Sequence, residues 1–327
     1  MKKTTILGTG SYLPSKVLTN HDLSQILDTN DEWIVSRTGI RERRIVAEGQ
    51  TCSDLAYEAS LKALEDAALT PNDLDMIIVA TLTPEKRLPS TACLLQDKLQ
   101  AKKAAVYDID AACSGFVYGM SIADQYIKTG AMNRILVAGT EVMSKVLNWK
   151  DRSTCILFGD GAGSAVLGPA KTEEKIILST HLFSNGSLYK LLEMPAGGTA
   201  MEWTPDVFER GDHLVKMDGK QVFRQAIESM AEASRLALEK FHKTIDDIDL
   251  FIPHQANSRI MDAIAKRLKC PEEKIFMNVD KYGNTSGASI PIALDEAIKQ
   301  GRLKKGDLLL IATFGAGFAW GSALIRW

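Results

Sequence analysis

One cysteine, one histidine and one asparagine stand out for what surrounds them. Cys113 lies in DAACSGFVYGM, after the strand-like VYDID and before residues that start a helix. A thiol at such a junction meets the positive end of the helix dipole and free backbone N–H groups. Both favour thiolate and predict a lowered pKa. Ala111, Ala112, Ser114 and Gly115 permit a tight turn and close approach of a ligand. The segment therefore reads as a nucleophile on a strand-to-helix elbow. A plain buried cysteine is the competing reading, and it is the one that suits Cys52, Cys93, Cys155 and Cys270. His254, in DIDLFIPHQAN, follows an apolar strand at once. Strand C-termini are where α/β sheets bind ligands, although a histidine there also serves as a capping or solvated loop residue. His21, His181, His213 and His242 sit in polar or helical contexts and read as surface residues. Asn284, in KYGNTSGASIPIA, has an amide that donates to a developing oxyanion without titrating. An asparagine after glycine is equally a turn former. The closing FGAGFAWG reads either as a hairpin turn or as backbone placed against a ligand oxygen.

The elements that position these residues come as a repeat. EASLKALEDAALTPNDLDMIIVA, from Glu58, aligns without gaps to EASRLALEKFHKTIDDIDLFIPH, from Glu232. Each reads as an amphipathic helix, an Asp-bearing turn and a buried strand. On this alignment His254 matches Ala80. Further on, VYDIDAACSGF is echoed by MNVDKYGNTSGASI, RILVAGT by DLLLIAT, and FGDGAGSAVLG by FGAGFAWGSALIRW. Setting Thr285-Ser286-Gly287 on Cys113-Ser114-Gly115 puts Asn284 one position before the mate of the cysteine. The glycine-rich segments predict a hairpin closing each half. Alternating strands and helices predict parallel βαβ units, in two halves over 1–170 and 171–327, with sheets covered on both faces. Segments about 20–50 and 184–220 have no counterpart in the repeat, and the second reads as a long loop or lid.

Composition narrows the function. The 327 residues are 45% hydrophobic and 24% charged, with net charge −2, so no global field draws nucleic acid. No window is long and apolar enough for a membrane span, and MKKTTILGTGSYLP reads as a first strand and turn. These readings predict a cytoplasmic protein. Five scattered cysteines without a CxxC pair predict neither a disulfide framework nor a zinc site. The GTG near the N-terminus does not complete a dinucleotide fingerprint, and no P-loop, HExxH or EF-hand pattern occurs.

DAACSGF, PHQAN, YGNTSGAS and GAGFAWGSALIRW, in this order, resemble the β-ketoacyl-acyl carrier protein synthase III family, over essentially the whole chain. The resemblance implies a thiolase-like fold, two similar halves in a five-layer α-β-α-β-α sandwich, and a homodimer. It implies a decarboxylative condensation of an acyl-CoA primer with malonyl-acyl carrier protein, without metal or cofactor. Cys113 would take the acyl group, His254 and Asn284 would stabilise the enolate, and the N–H groups of Cys113 and Ala316 would form the oxyanion hole. Thr29, Trp33, Arg37, Arg152, Phe223, Ala256 and Asn257 would hold the CoA or pantetheine arm. Leu88 and Phe314 would border the acyl pocket, Leu88 from across a dimer. Arg224, Arg259, Lys266 and Arg267 would form a patch for the acidic carrier protein; as residues alone they read as a solvated helix face. Two positions depart from the family pattern. The closing turn is Gly315-Ala316-Gly317 where the family more often has three glycines, and Leu88 stands where phenylalanine is frequent. The leucine predicts a larger or branched primer instead of acetyl. The family's degradative relatives carry a second catalytic cysteine near the closing turn, and the elongating ones a second histidine; neither is present here. A related condensing enzyme or acyltransferase of a secondary-metabolite pathway keeps the same residues and stays open at this point.

Overall fold

The computed structural model describes residues 2–327. Five strands form the first sheet: β1 (Thr4–Tyr12), β2 (Met76–Ala80), β3 (Ala105–Ile109), β4 (Ile135–Glu141) and β5 (Gly161–Pro169), in the order β1-β5-β4-β2-β3. The second sheet holds β6 (Ile176–Ser184), β7 (Leu250–Pro253), β8 (Leu308–Gly315) and β9 (Ala319–Arg326), in the order β7-β8-β9-β6. The pairs β2–β3, β2–β4 and β7–β8 are parallel; the rest are antiparallel.

Strand alternation decides what each face covers. On β2, Met76 and Ile78 point into the core between the two sheets, while Ile77 and Val79 point to an outer layer. The middle layer is two helices, Gly115–Thr129 and Ser289–Lys299. Their Phe116, Met120, Ile127, Ile290 and Leu294 pack between the sheets. The helices Cys52–Asp66 and Thr91–Leu99 cover the first sheet from outside. The helices Gly219–Glu239 and Ser258–Leu268 cover the second. The layers therefore run α-β-α-β-α, the thiolase-like arrangement. Full burial of an aliphatic side chain is worth roughly 1.5–3 kcal/mol, so the two sheet interfaces carry most of the driving force.

The repeat reaches down to single caps. Thr70 and Asp73 form a capping box at a 3-10 turn, with Thr70 N–H donating to Asp73 at 2.8 Å. Thr244 and Asp247 repeat it at 2.8 Å, 174 positions later. Two features differ from the sequence reading. The first half does not close on a tight hairpin, because residues 142–160 separate β4 from its partner β5. Segment 184–220 is not a bare loop: Leu192–Glu193 pairs with Lys216–Met217, and Pro205–Glu209 is helical. Segment 20–50 contains the helix Asp31–Thr38, whose N-cap Asn30 accepts from Trp33 N–H at 2.8 Å.

Candidate active site

The elbow at Cys113 is a 3-10 turn, Ala112–Ser114, between β3 and the middle-layer helix that starts at Gly115. Ala112 holds a left-handed φ of 45°. The turn Ser286–Ala288 before the second middle-layer helix is its counterpart, with Ser286 at 48°. The offset is again 174, so the mate of Cys113 is Gly287. This corrects the register read from the small-residue triplets, which made Thr285 the mate. Backbone conformation, not side-chain likeness, sets the equivalence. The two turns touch sheets where only glycine fits. A Cβ on Gly139 of β4 would meet the Gly287 carbonyl oxygen at 2.3 Å. A Cβ on Gly315 at the end of β8 would meet Cys113 N at 2.7 Å.

Cys113 is 7% exposed, and burial pushes its thiol up to about 12. The lowered pKa expected from the helix dipole is not what the site produces. Desolvation of a thiolate in this interior outweighs a dipole that begins two residues later. The thiol donates to Ser286 Oγ at 3.4 Å, and the Cys113 carbonyl accepts from Thr313 Oγ at 2.9 Å.

His254 follows β7 and is held by its backbone N–H to Ala312 O at 2.8 Å. Burial lowers its pKa to about 4, so the ring is neutral. Nδ1 meets Ser289 Oγ at 2.6 Å. If the hydroxyl donates to Nδ1, the ring proton sits on Nε2, which makes no hydrogen bond among the described residues. Asn284 is 7% exposed, and its Oδ1 accepts from Ser286 N–H at 2.8 Å. That bond fixes the amide flip and leaves Nδ2 as a donor.

Cys113, His254 and Asn284 line one cavity of about 620 Å³. Its wall also contains Trp33, Arg37, Arg152, Phe223, Ala256, Asn257, Arg259 and Phe314. Arg37 and Arg152 lie over the Trp33 ring at 4.6 and 4.9 Å from its centroid, and Arg152 is tied to Asp28. Asn257 caps the helix Ser258–Leu268 by accepting from Ile260 N–H at 2.9 Å. Thr29 is outside this wall, with its hydroxyl buried and unpartnered among the described residues. A second cavity of about 610 Å³ also reaches Cys113 and is lined by Ala316, Leu82, Met143, Val215 and Phe318. Phe314 borders the first cavity only, packing its ring 4.6 Å from Phe318. Leu88 is 87% exposed and lines neither cavity of this chain. Arg224, Lys266 and Arg267 are exposed, and Arg224 pairs with Glu228 at 3.3 Å.

Sequence reasoning missed Glu141. It is fully buried at the end of β4 and accepts from Ser286 Oγ at 3.1 Å and Thr83 Oγ at 2.6 Å. Burial raises its pKa to about 7 against the hydrogen bonds that lower it. A carboxylate closing the apolar run ILVAGTE was the available signal. Ser289 and Thr313 were also missed, since neither has a distinctive sequence context.

Residues 107–186 match the family described as 3-oxoacyl-[acyl-carrier-protein] synthase III, and residues 238–327 match the C-terminal region of the same family. The chain is 53% identical over 322 residues to the β-ketoacyl-[acyl-carrier-protein] synthase III of Caldanaerobacter subterraneus subsp. tengcongensis, covering 98% of this chain and 97% of the relative. It is similar to the crystal structure of 3-oxoacyl-[acyl-carrier-protein] synthase III from Aquifex aeolicus VF5, with TM-score 0.92, 49% identity, and coverage of 99% and 100%. It is also similar to the priming β-ketosynthase of the R1128 polyketide pathway, with TM-score 0.91, 35% identity, and coverage of 99% and 96%.

Proposed function

The chain belongs to the 3-oxoacyl-acyl carrier protein synthase III family, and we propose that it performs the family's condensation through an acylated Cys113, with His254 and Asn284 as donors to the enolate. It is an acyltransferase of fatty acid biosynthesis. The observation that carries the residue roles is the shared cavity, in which a thiol, a neutral imidazole and an amide with its Nδ2 free among the described residues line one space.

In the first half-reaction Cys113 sulfur attacks the thioester of an acyl-CoA. The Cys113 and Ala316 N–H groups take the oxyanion. Coenzyme A leaves, with its adenine end at Trp33, Arg37 and Arg152 and its arm along Phe223, Ala256 and Asn257. Malonyl-acyl carrier protein then enters the same cavity, in ping-pong order. Loss of carbon dioxide leaves an enolate, whose oxygen takes hydrogen bonds from His254 Nε2–H and Asn284 Nδ2. A histidine with a pKa near 4 stays neutral at working pH. It is therefore a donor, not an imidazolium strong enough as an acid to quench the carbanion. The carbanion attacks the acyl carbonyl on Cys113, and the tetrahedral adduct collapses to the 3-oxoacyl product. The chemistry calls for neither metal nor redox group.

The acyl chain lies in the second cavity, beside Leu82, Met143, Val215 and Phe318. Its size and apolar wall support a primer larger than acetyl or branched. Arg259, Lys266 and Arg267 on one helix, with Arg224 on its neighbour, receive the carrier protein. Two copies associate so that Leu88, exposed here, covers the partner's acyl pocket.

The test is peptide mass spectrometry after incubation with a panel of acyl-CoAs, with Cys113→Ala as control. One acyl adduct, on Cys113 and lost in the variant, is expected, with a branched or longer donor preferred. No adduct from any acyl-CoA sinks the reading, and preference for acetyl-CoA sinks its primer clause.

A further inference from the structure

Resting on Cys113 as the acylated residue, we propose that Ser286 and Glu141 form a two-bond proton relay, which takes the thiol proton before acyl transfer and returns it when condensation releases the sulfur. Ser286 touches the nucleophile; Glu141 acts only through Ser286, as a positioning residue.

The three groups form one directed chain. Cys113 Sγ donates to Ser286 Oγ at 3.4 Å, and Ser286 Oγ donates to Glu141 Oε1 at 3.1 Å. Ser286 cannot drift from this place. Its backbone N–H is bound by Asn284 Oδ1 at 2.8 Å, and Gly287 N–H reaches Glu141 at 3.4 Å. Glu141 is held from several sides. Thr83 Oγ and Thr81 Oγ donate to it at 2.6 and 3.3 Å, and Leu82 N–H lies at 3.2 Å. The titratable groups facing it are Cys113 and Asp110 from the elbow and Cys52 from the helix Cys52–Asp66. No lysine, arginine or histidine pairs with it among the described residues. A fully buried carboxylate without a cation, joined by one hydroxyl to a thiol too buried to ionise alone, has an evident use. The carboxylate can take up the charge change that the sulfur must undergo. Its affinity for a proton, pushed up to about 7, suits it to hold one at working pH.

The protons balance through both half-reactions. The thiol S–H bond breaks and its proton moves to Ser286 Oγ, while the Ser286 hydroxyl proton passes to Glu141. Total charge is unchanged, and Cys113 is now a thiolate beside a protonated carboxyl. Acyl transfer forms the new C–S bond and expels coenzyme A thiolate, which water protonates. Glu141 keeps its proton through the acyl-enzyme stage. When the enolate carbon attacks and the adduct collapses, Cys113 leaves as thiolate. The Glu141 proton then returns through Ser286 and restores the thiol.

The test compares two rates in the same protein. Coenzyme A release from acyl-CoA measures acylation, which needs the relay. Decarboxylation of malonyl-acyl carrier protein does not move the thiol proton. In Glu141→Gln, acylation should fall about 100-fold, a loss typical of removing one acid-base group, while decarboxylation should change by less than about threefold. In the wild type, acylation should rise with pH through about 7 and then level, because Glu141 must be ionised to accept. In Glu141→Gln that inflection should vanish and the rate should climb with pH as the thiol ionises unaided. Glu141→Asp should recover part of the rate and the inflection. Ser286→Ala removes the bridge without straining the turn, since alanine already holds the same left-handed φ at Ala112. It should match Glu141→Gln, and it decides the matter if Glu141→Gln does not fold. Acylation at wild-type rate in Ser286→Ala or Glu141→Gln, or equal loss of acylation and decarboxylation, overturns the relay. Such a result, with the Cys113 adduct still forming in the wild type, leaves the nucleophile standing. No wild-type adduct removes both.

Discussion

Gly315→Ala isolates how closely the end of β8 supports Cys113, the proposed nucleophile. The added Cβ would lie 2.7 Å from Cys113 N and 3.2 Å from both Cys113 Cα and Cβ. Ordinary contact begins at 3.4 Å, so the two segments must separate by about 0.7 Å. Gly315 is not at positive φ, so alanine adds no backbone strain and the whole effect is this contact. The elbow cannot simply retreat. Thr313 Oγ, two residues away on the same strand, holds the Cys113 carbonyl at 2.9 Å, and the helix behind is fixed in the middle layer. Overpacking of this kind costs about 1–3 kcal/mol of stability. The larger effect is on chemistry, because Cys113 N–H is an oxyanion donor in the proposed mechanism and sub-ångström placement matters there. A misplacement approaching 1 Å costs on the order of 100-fold in rate. Acylation, read as the initial rate of coenzyme A release, should therefore fall about 30- to 100-fold, with Tm lowered by a few degrees. Decarboxylation, which in the proposed mechanism draws on His254 and Asn284, should fall much less. Acylation within threefold of wild type, with an unchanged Tm, would refute the claim that this approach positions the sulfur.

Two further expectations follow from the site. Asn284→Asp keeps the shape but, in the proposed mechanism, turns the Nδ2 donor to the enolate into a charge. Decarboxylation should drop about 100- to 1000-fold with the Cys113 adduct still forming, as for loss of one oxyanion donor. Equal loss in both half-reactions would count against the role. His254 has its folded pKa lowered to about 4 from an ordinary 6.5. The unfolded chain thus binds a proton first as pH falls, and stability is lost from about 6.5 down to about 4. The full effect is about 3 kcal/mol. Urea unfolding at pH 7.5 and 5 should show a shallower loss in His254→Gln than in wild type, while Glu141, with its raised pKa, contributes the opposite slope in both. Parallel slopes would remove the neutral buried imidazole.

The helix-turn-strand units of the two halves were legible because they rest on periodicity, whereas their five-layer stacking followed only from the family resemblance. The apolar runs MIIVA and LFIP and the Asp-bearing turns before them recur at a constant offset. What was illegible depends on tertiary surroundings. The dipole at Cys113 is a local inference, whereas the desolvation that overrides it comes from the packing of both sheets. Glu141 looks like the last residue of a strand until the second half brings Ser286 onto it from 145 positions away. The register error had a similar cause. The likeness of Thr-Ser-Gly to Cys-Ser-Gly is chemical, but the repeat preserves φ, and φ at Ala112 and Ser286 is silent in the residue names.

With that register, the site is a division of labour between two copies of one turn. At equivalent positions stand Cys113 and Gly287, Ala112 and Ser286, Ala80 and His254. With Cys113 as the proposed nucleophile, each substitution follows from the sulfur lying on one side only. The half that carries the sulfur has alanine at Ala80, opposite the elbow, where bulk is excluded: a Cβ on Gly115 would already come within 2.8 Å of the Ala80 Cβ. The other half has no nucleophile to make room for. It can therefore place imidazole at the strand end, glycine where the cysteine would be, and a serine hydroxyl where Ala112 has only a methyl. Gly287 lets its turn press against β4 and direct an N–H at Glu141. The asymmetry in side chains is thus a consequence of symmetric backbones meeting head to head. A single half could supply the proposed nucleophile or its proposed donors, but the cavity lined by Cys113, His254 and Asn284 draws on both.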